Sequence, residues 1–386
     1  MTADIRKLLL AQFLTALADN AILFIAVAMV LQGALQGNWY VPALQGSFLV
    51  AFVLLAPWVG TFADTHSKPR VLATANGIKI LGAAMMLIGL EPLLAYAVVG
   101  IGAATYSPAK YGILPELTNS DKALVTINGW VEGSTIVAIL LGTVVGAKAA
   151  DFSITFALCL AAMLYTISAL TALWMSRLPA AHQQKKSHTI ASFKATITTL
   201  LSSPQARFAT LGVSLFWASA VSLRLIIITW APITLLLTTS EEISLLTLFI
   251  ALGIAVGAFL APKLIPLSAV PRTKYAAYTL SLSIFALMFV DDINTARALL
   301  FIAGISGGLF VVPINALLQE IGYETVGSGH TVAVQHFFEN LAMLVATGLY
   351  TWGISTGIST TQAMFTLGIS IMVLTFIISF RLPKAQ

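Results

Sequence analysis

Five ionisable side chains stand inside long apolar stretches: Asp19, Lys79, Glu132, Arg224 and Glu339. Asp19 falls near the middle of the run from Leu8 to Leu31 and is followed by Asn20, just as Glu339 is followed by Asn340. A charge at bilayer depth is expensive and normally faces a polar cavity or a partner of opposite sign. An arginine fork donates two parallel hydrogen bonds and suits a phosphate, whereas a carboxylate suits an ammonium. Arg224 with Asp19 and Glu339 would therefore suit a zwitterionic head group, with Asn20 and Asn340 adding neutral hydrogen bonds. The plainer alternative is a buried structural ion pair. Lys79 could snorkel to the membrane surface, and Glu132 could be structural.

His336 and Glu339 lie three residues apart and share a helix face. They could form part of a proton relay or make an ordinary polar contact. A metal site would need further ligands in suitable geometry, and none is evident. No phosphate loop, nucleophile elbow or metal motif appears, and there is no room for a nucleotide-binding domain. No cofactor is implied.

These residues must be positioned by a membrane-embedded scaffold. Of the 386 residues 58% are hydrophobic and 9% charged, against roughly 25% charged in a soluble domain. Cys159 is the single cysteine, so no disulfide framework exists. The first apolar run is too long for a signal-peptide core and contains Asp19. Apolar runs of about 20 residues predict twelve spans, near 8–31, 43–63, 71–90, 93–113, 123–147, 152–176, 208–236, 243–262, 274–290, 296–318, 328–352 and 359–381.

With both termini inside, the inner side collects most of the basic residues, from Arg6 and Lys7 through Lys68, Arg70, Lys110, Lys122, Arg177, Lys185 and Lys186 to Arg381 and Lys384. The outer side keeps Lys148 and Arg297. That asymmetry predicts cytoplasmic termini. The net charge of +5 then reports topology and contact with membrane lipids, not a nucleic-acid partner. Trp39 and Tyr40 fall at a predicted outer edge, where an aromatic belt belongs.

The longest polar stretch divides the chain into an N-terminal six-helix bundle (1–177), a central cytoplasmic linker (178–207) and a C-terminal six-helix bundle (208–386). Matched features support two related halves. Gly102 to Pro108 and Gly307 to Pro313 share one spacing, followed by Glu116 and Glu320, and the next spans carry Glu132 and Glu339. Paired halves of this kind can alternate access around a midplane site. Gly142/Gly146, Gly253/Gly257 and Gly304/Gly308 have the spacing of close helix approach, in static packing or in a sliding seam.

Between the second and third spans, Gly60, Asp64, Lys68 and Arg70 form Gly-x-x-x-Asp-x-x-x-basic-x-basic. This resembles the signature loop of the major facilitator superfamily, where it latches the halves; a charged turn obeying the inside rule would look similar. A second copy near Gly257 to Lys263 lacks the acid. Longer stretches resemble the bacterial lysophospholipid transporter (LplT) family of that superfamily: Ala11 to Phe24, Ala75 to Ala83, Tyr106-Ser-Pro-Ala-Lys110-Tyr-Gly-Ile-Leu114, Ser214 to Trp217 with Leu223-Arg224, Val311 to Glu320, and Ala333 to Gln335 with Glu339-Asn340. The stretch from His336 to Phe338 departs from that pattern.

The resemblance implies an all-α fold of twelve transmembrane helices in two bundles, monomeric and without enzymatic activity, in the bacterial inner membrane. It implies a flippase moving lysophospholipids, such as lysophosphatidylethanolamine, from the outer to the inner leaflet without ATP or a proton gradient. A cytoplasmic-side acyltransferase would then restore the second chain. It also implies head-group contacts at Asp19, Arg224 and Glu339, with Asn20 and Asn340 beside them; Lys110, Glu132 and His336 are secondary candidates. Two other readings remain: a proton-coupled exporter of amphipathic solutes using Asp19, Glu339 and His336, and a membrane-embedded acyltransferase.

Overall fold

The computed structural model describes residues 2–32, 40–118, 120–176, 190–237, 240–380 and 382. Trp39, Arg177, Lys185, Lys186, Arg381 and Lys384 lie outside the described residues.

Where no water reaches the backbone, each chain segment must satisfy its own amides, and the helix does so. Twelve helices of at least 15 residues fall on the twelve predicted spans: α1 (Ala3–Gln32), α2 (Tyr40–Thr65), α3 (Lys68–Leu87), α4 (Pro92–Gly112), α6 (Asp121–Phe152), α7 (Ile154–Leu173), α9 (Pro204–Thr234), α10 (Ser240–Leu264), α11 (Thr273–Leu287), α12 (Ile293–Glu324), α13 (Ser328–Ser355) and α14 (Thr360–Ser379). Short helices α5 (Leu114–Leu117) and α8 (Ile190–Ser202) and a 3-10 turn, Leu267–Arg272, complete the described elements. Ten of the twelve are long and apolar enough to cross a membrane by composition alone. The other two are α4, which ends in the polar stretch Tyr106–Gly112, and α11, which has 15 residues.

The helix ends follow local chemistry. Prolines at the first or second position start α3, α4 and α9, where a missing N–H costs nothing. Ser153, Ser203 and Ser359 cap α7, α9 and α14, the last in a reciprocal box with Gln362. Glu91 caps α4 through Leu94 N–H, and its carboxylate also accepts from the Tyr40 hydroxyl. Tyr40 is thus 4% exposed and ties two helices together.

The chain forms two compact units. The first comprises Met1–Thr118, Val137–Thr199 and Gln319–Phe337; the second comprises Asn119–Ile136, Leu200–Leu318 and Phe338–Gln386. The start of α13 therefore clusters with the early helices and the start of α6 with the late ones. The core of the first unit gathers Ile22, Ile25, Leu44, Met86, Val99 and Leu158. That of the second gathers Ile226, Trp230, Leu246, Ile284, Leu300 and Ile371. Large apolar side chains such as Leu54, Trp174, Phe289 and Phe376 point outward, as a lipid-facing surface permits.

In the second unit the small-residue spacings face each other. A Cβ on Gly253 or Gly257 of α10 would strike the backbone of Phe301 and Ile305 on α12, and one on Gly304 or Gly308 would strike Ile250 and Ile254 on α10. The seam is backbone against backbone. Gly257→Leu should destabilise the purified protein by at least about 1–3 kcal/mol through overpacking. Gly77→Ala, where nothing lies within 4 Å, should be neutral or stabilising by up to about 1 kcal/mol. Thermal melts of the two variants in detergent check both.

Candidate functional site

The Asp19 carboxylate on α1 is held from two directions within the first unit. Lys79 on α3 donates to Oδ2 at 2.7 Å and the Tyr165 hydroxyl on α7 donates to Oδ1 at 2.9 Å. Lys79 also donates to Thr15, whose hydroxyl donates to Asn76 at 2.7 Å; Asn76 donates to Ser168, which donates to the Ala11 carbonyl. The ammonium stands 4.9 Å from the centre of the Tyr106 ring and 5.5 Å from that of Tyr165, close enough for cation–π attraction. Lys79 is 1% exposed and Asp19 is 20% exposed. Lys79 therefore does not snorkel. Gly102 on α4 makes this possible, because a Cβ there would strike the Lys79 side chain and the Ala75 carbonyl. Asn20 turns back to its own helix, donating to the Ala16 carbonyl at 2.8 Å.

The remaining head-group candidates lie in the second unit. Arg224 is exposed on α9, between buried Leu223 and half-buried Leu225. Glu339 and Asn340 on α13 are buried, 4% and 5% exposed. Glu132 on α6 is buried and accepts a hydrogen bond of 3.2 Å from Asn315 on α12, so the acid that looked structural is paired within its unit.

The Gly60–Arg70 loop builds a second cluster, in the first unit. Asp64 accepts from the backbone N–H of Gly329 at 2.7 Å and of His330 at 3.0 Å, at the first turn of α13. His330 Nδ1 lies 2.6 Å from the same carboxylate and its Nε2 lies 2.9 Å from the Thr61 hydroxyl. A carboxylate at a helix N-terminus satisfies orphan N–H groups and complements the helix dipole. Lys68 lies 3.6 Å from Asp64 and 2.9 Å from Glu116, and is 2% exposed. Gly60 lets α2 approach α13, since a Cβ there would strike His330. Gly327, at φ +100°, gives the chain the left-handed turn that aims the α13 N-terminus at Asp64. Arg70 is exposed and stands outside this buried cluster.

The stretch Tyr106–Gly112 touches both clusters. Tyr106 lies beside Lys79, and Ser107 Oγ lies 2.7 Å from His336 Nε2. The His336 ring also stands near Phe52 and Tyr111, so its plain polar contact is with a hydroxyl. Lys110 is buried with its ammonium 4.0 Å from the Tyr111 ring centre. The Gly112 carbonyl accepts from Ser328 at 2.9 Å. Among the described residues no group of three His, Cys, Asp or Glu side chains is placed to hold a metal ion.

This scaffold of long helices has known counterparts. The Major Facilitator Superfamily model matches residues 8–347. A Klebsiella pneumoniae protein named lysophospholipid transporter LplT is 43% identical over 354 residues, covering 90% of this chain and 88% of its own length. Proteins of the same name from Serratia proteamaculans and Photorhabdus laumondii are 43% and 40% identical, covering 88% and 93% of this chain and 86% and 90% of their own lengths. The chain belongs to the LplT family of the major facilitator superfamily. Among solved structures, the human organic anion transporter MFSD10 superposes with a TM-score of 0.78 over 98% of this chain and all of its own. The Escherichia coli fucose:proton symporter FucP does so at 0.75 over 98% of each chain. At 15% identity in each case, these two share the fold.

In this LplT-family chain, four contacts escaped the sequence reading: Lys79 as the partner of Asp19, Tyr165 as its second anchor, and Glu116 and His330 as parts of the Asp64 cluster. Lys79 stood out as a lysine deep in an apolar span, which left the direction of its side chain open. Tyr165 and His330 carried no such signal, because their partners lie 146 and 266 residues away.

Proposed function

We propose that this chain transports lysophospholipids such as lysophosphatidylethanolamine, moving them from the outer to the inner leaflet of the bacterial inner membrane. There a cytoplasmic-side acyltransferase would restore the second acyl chain. The observation that carries this reading is the family relationship: relatives about 43% identical across nearly the whole chain are named lysophospholipid transporters. The charge set supports it. A phosphate and an ammonium do not cross hydrocarbon unaided, because an unpaired charge there is very costly. Arg224 would take the phosphate, with Glu339 and Asp19 for the ammonium and Asn20 and Asn340 for neutral hydrogen bonds. Asp19 retains acceptor capacity, since two carboxylate oxygens offer about four lone-pair sites and Lys79 and Tyr165 use one each.

In this proposal both termini are cytoplasmic and the protein acts as a monomer. The halves 1–177 and 208–386, joined by 178–207, alternate access without ATP. The Asp64 cluster serves as the latch, released and remade once per cycle. Lys110, Glu132 and His336 line or brace the route.

Arg224→Lys should lower transport of lysophosphatidylethanolamine and lysophosphatidylglycerol alike by about 10- to 100-fold, the worth of one lost charge-assisted hydrogen bond. An ammonium cannot reproduce the planar fork. Flipping of each lipid in proteoliposomes reads this out. The same assay with and without a pH gradient tests the mechanism: unchanged flipping supports uncoupled transport, and flipping that stops when the gradient collapses would move the reading to a proton-coupled exporter.

A further inference from the structure

The surroundings of Asp19 form a receptor for a primary ammonium, and the chain fills it with its own lysine. The Lys79 ammonium donates to Asp19 Oδ2 at 2.7 Å and to the Thr15 hydroxyl at 3.3 Å, and it stands 4.9 and 5.5 Å from the ring centres of Tyr106 and Tyr165. A carboxylate, a hydroxyl and aromatic faces are the partners an ammonium needs once it leaves water. All five side chains belong to the first unit. Lys79 is 1% exposed and Asp19 is 20% exposed, so a ligand meets this pair from the carboxylate side. The opposite charges of the pair cancel.

We infer that Lys79 is a specificity-determining residue that levels head groups with and without an ammonium, an inference that rests on the function proposed above. An Asp19 standing alone would attract an ammonium strongly. It would also repel a head group that brings a phosphate and no cation, because charges at this depth are little screened. With Lys79 against it, the carboxylate keeps lone pairs for an incoming donor but presents no net charge. The site then accepts the N–H groups of an ethanolamine head group and the hydroxyls of a glycerol head group on similar terms. Removing Lys79 converts a neutral acceptor into an anionic one and turns the site toward ethanolamine. If the pair served only to hold α1 against α3, its loss would slow both lipids by one common factor.

The test uses the full-length protein in proteoliposomes and reads the ratio of lysophosphatidylethanolamine to lysophosphatidylglycerol flipping, which a purely structural role does not move. In the wild-type protein the two rates should agree within about tenfold, the worth of one neutral hydrogen bond. Lys79→Gln and Lys79→Ala should each shift the ratio toward the ethanolamine lipid by about 10- to 100-fold, the worth of one charge-assisted bond. A second measurement refills the receptor. Lys79→Ala removes Cγ, Cδ, Cε and Nζ, the atoms that propylammonium supplies. Propylammonium should raise the melting temperature of Lys79→Ala, and should return its lysophosphatidylglycerol flipping toward the wild-type rate. Sodium chloride at the same concentration should do neither, and melts of Asp19→Asn/Lys79→Ala should not respond to the amine. The amine, present throughout purification, also supports a variant that folds poorly without it. An unchanged ratio in both variants overturns the inference, as does equal stabilisation by sodium chloride. A wild-type preference for the ethanolamine lipid of more than about 100-fold overturns it without any variant. If the wild-type protein flips neither lipid, the proposed function itself fails; if it flips both and the ratio ignores Lys79, only the levelling role fails.

Discussion

Asp19→Asn should lower the stability of the protein by about 3–5 kcal/mol and abolish transport, and adding Lys79→Met should restore most of the stability without restoring transport. The expectation follows from where the two charges sit. Lys79 is 1% exposed and lies 2.7 Å from the carboxylate. Removing one partner of such a pair leaves a buried charge uncompensated, which is the costly case, whereas replacing both by neutral groups of similar volume is often neutral or stabilising. The rings of Tyr106 and Tyr165 beside the ammonium supply only a small part of what the carboxylate provides. Thermal melts of the wild-type, single and double variants give the stability half, and lysolipid flipping gives the other. A double variant that transports like the wild type would reduce Asp19 to a structural ion-pair partner.

Asp64→Ala should release the first turn of α13. The carboxylate accepts from two backbone amides and touches the His330 ring, so its loss removes a helix cap worth about 1–2 kcal/mol. That corresponds to roughly tenfold in the opening equilibrium, before the change at Lys68, which keeps Glu116 as its counter-charge, is added. Ser328 is 1% exposed and bonded to the Gly112 carbonyl, which makes it a reporter. With the exposed Cys159 replaced by serine, a cysteine introduced as Ser328→Cys should react with maleimide about tenfold faster once Asp64→Ala is added. Asp64→Asn keeps an acceptor and should fall between. Equal labelling rates in all three backgrounds would deny Asp64 a role as latch.

The twelve long helices were legible, ten of them because a bilayer enforces such spans: about twenty apolar residues need one helix, and the prolines at 69, 92 and 204 mark where α3, α4 and α9 begin. The glycine spacing of α10 and α12 was legible for the same reason, since only small residues admit a backbone. Pairings were not. Asp19 is 60 residues from Lys79, and nothing in a one-dimensional reading separates a lysine that snorkels from one that turns inward past Gly102. The Asp64 loop was visible as a pattern, but its acceptor role depends on Gly327 turning the distant start of α13 toward it. The hydrogen bond from the Tyr40 hydroxyl to Glu91, 51 residues away, was likewise hidden.

The central claim is that the chain moves single-chain phospholipids. Purified protein in liposomes carrying equal amounts of fluorescent lysophosphatidylethanolamine and diacyl phosphatidylethanolamine, with translocation read by quencher protection, tests it directly. Translocation of the lysolipid well above that in protein-free vesicles, with the diacyl lipid unmoved, is the predicted result. Equal movement of both lipids, or of neither, would contradict the account.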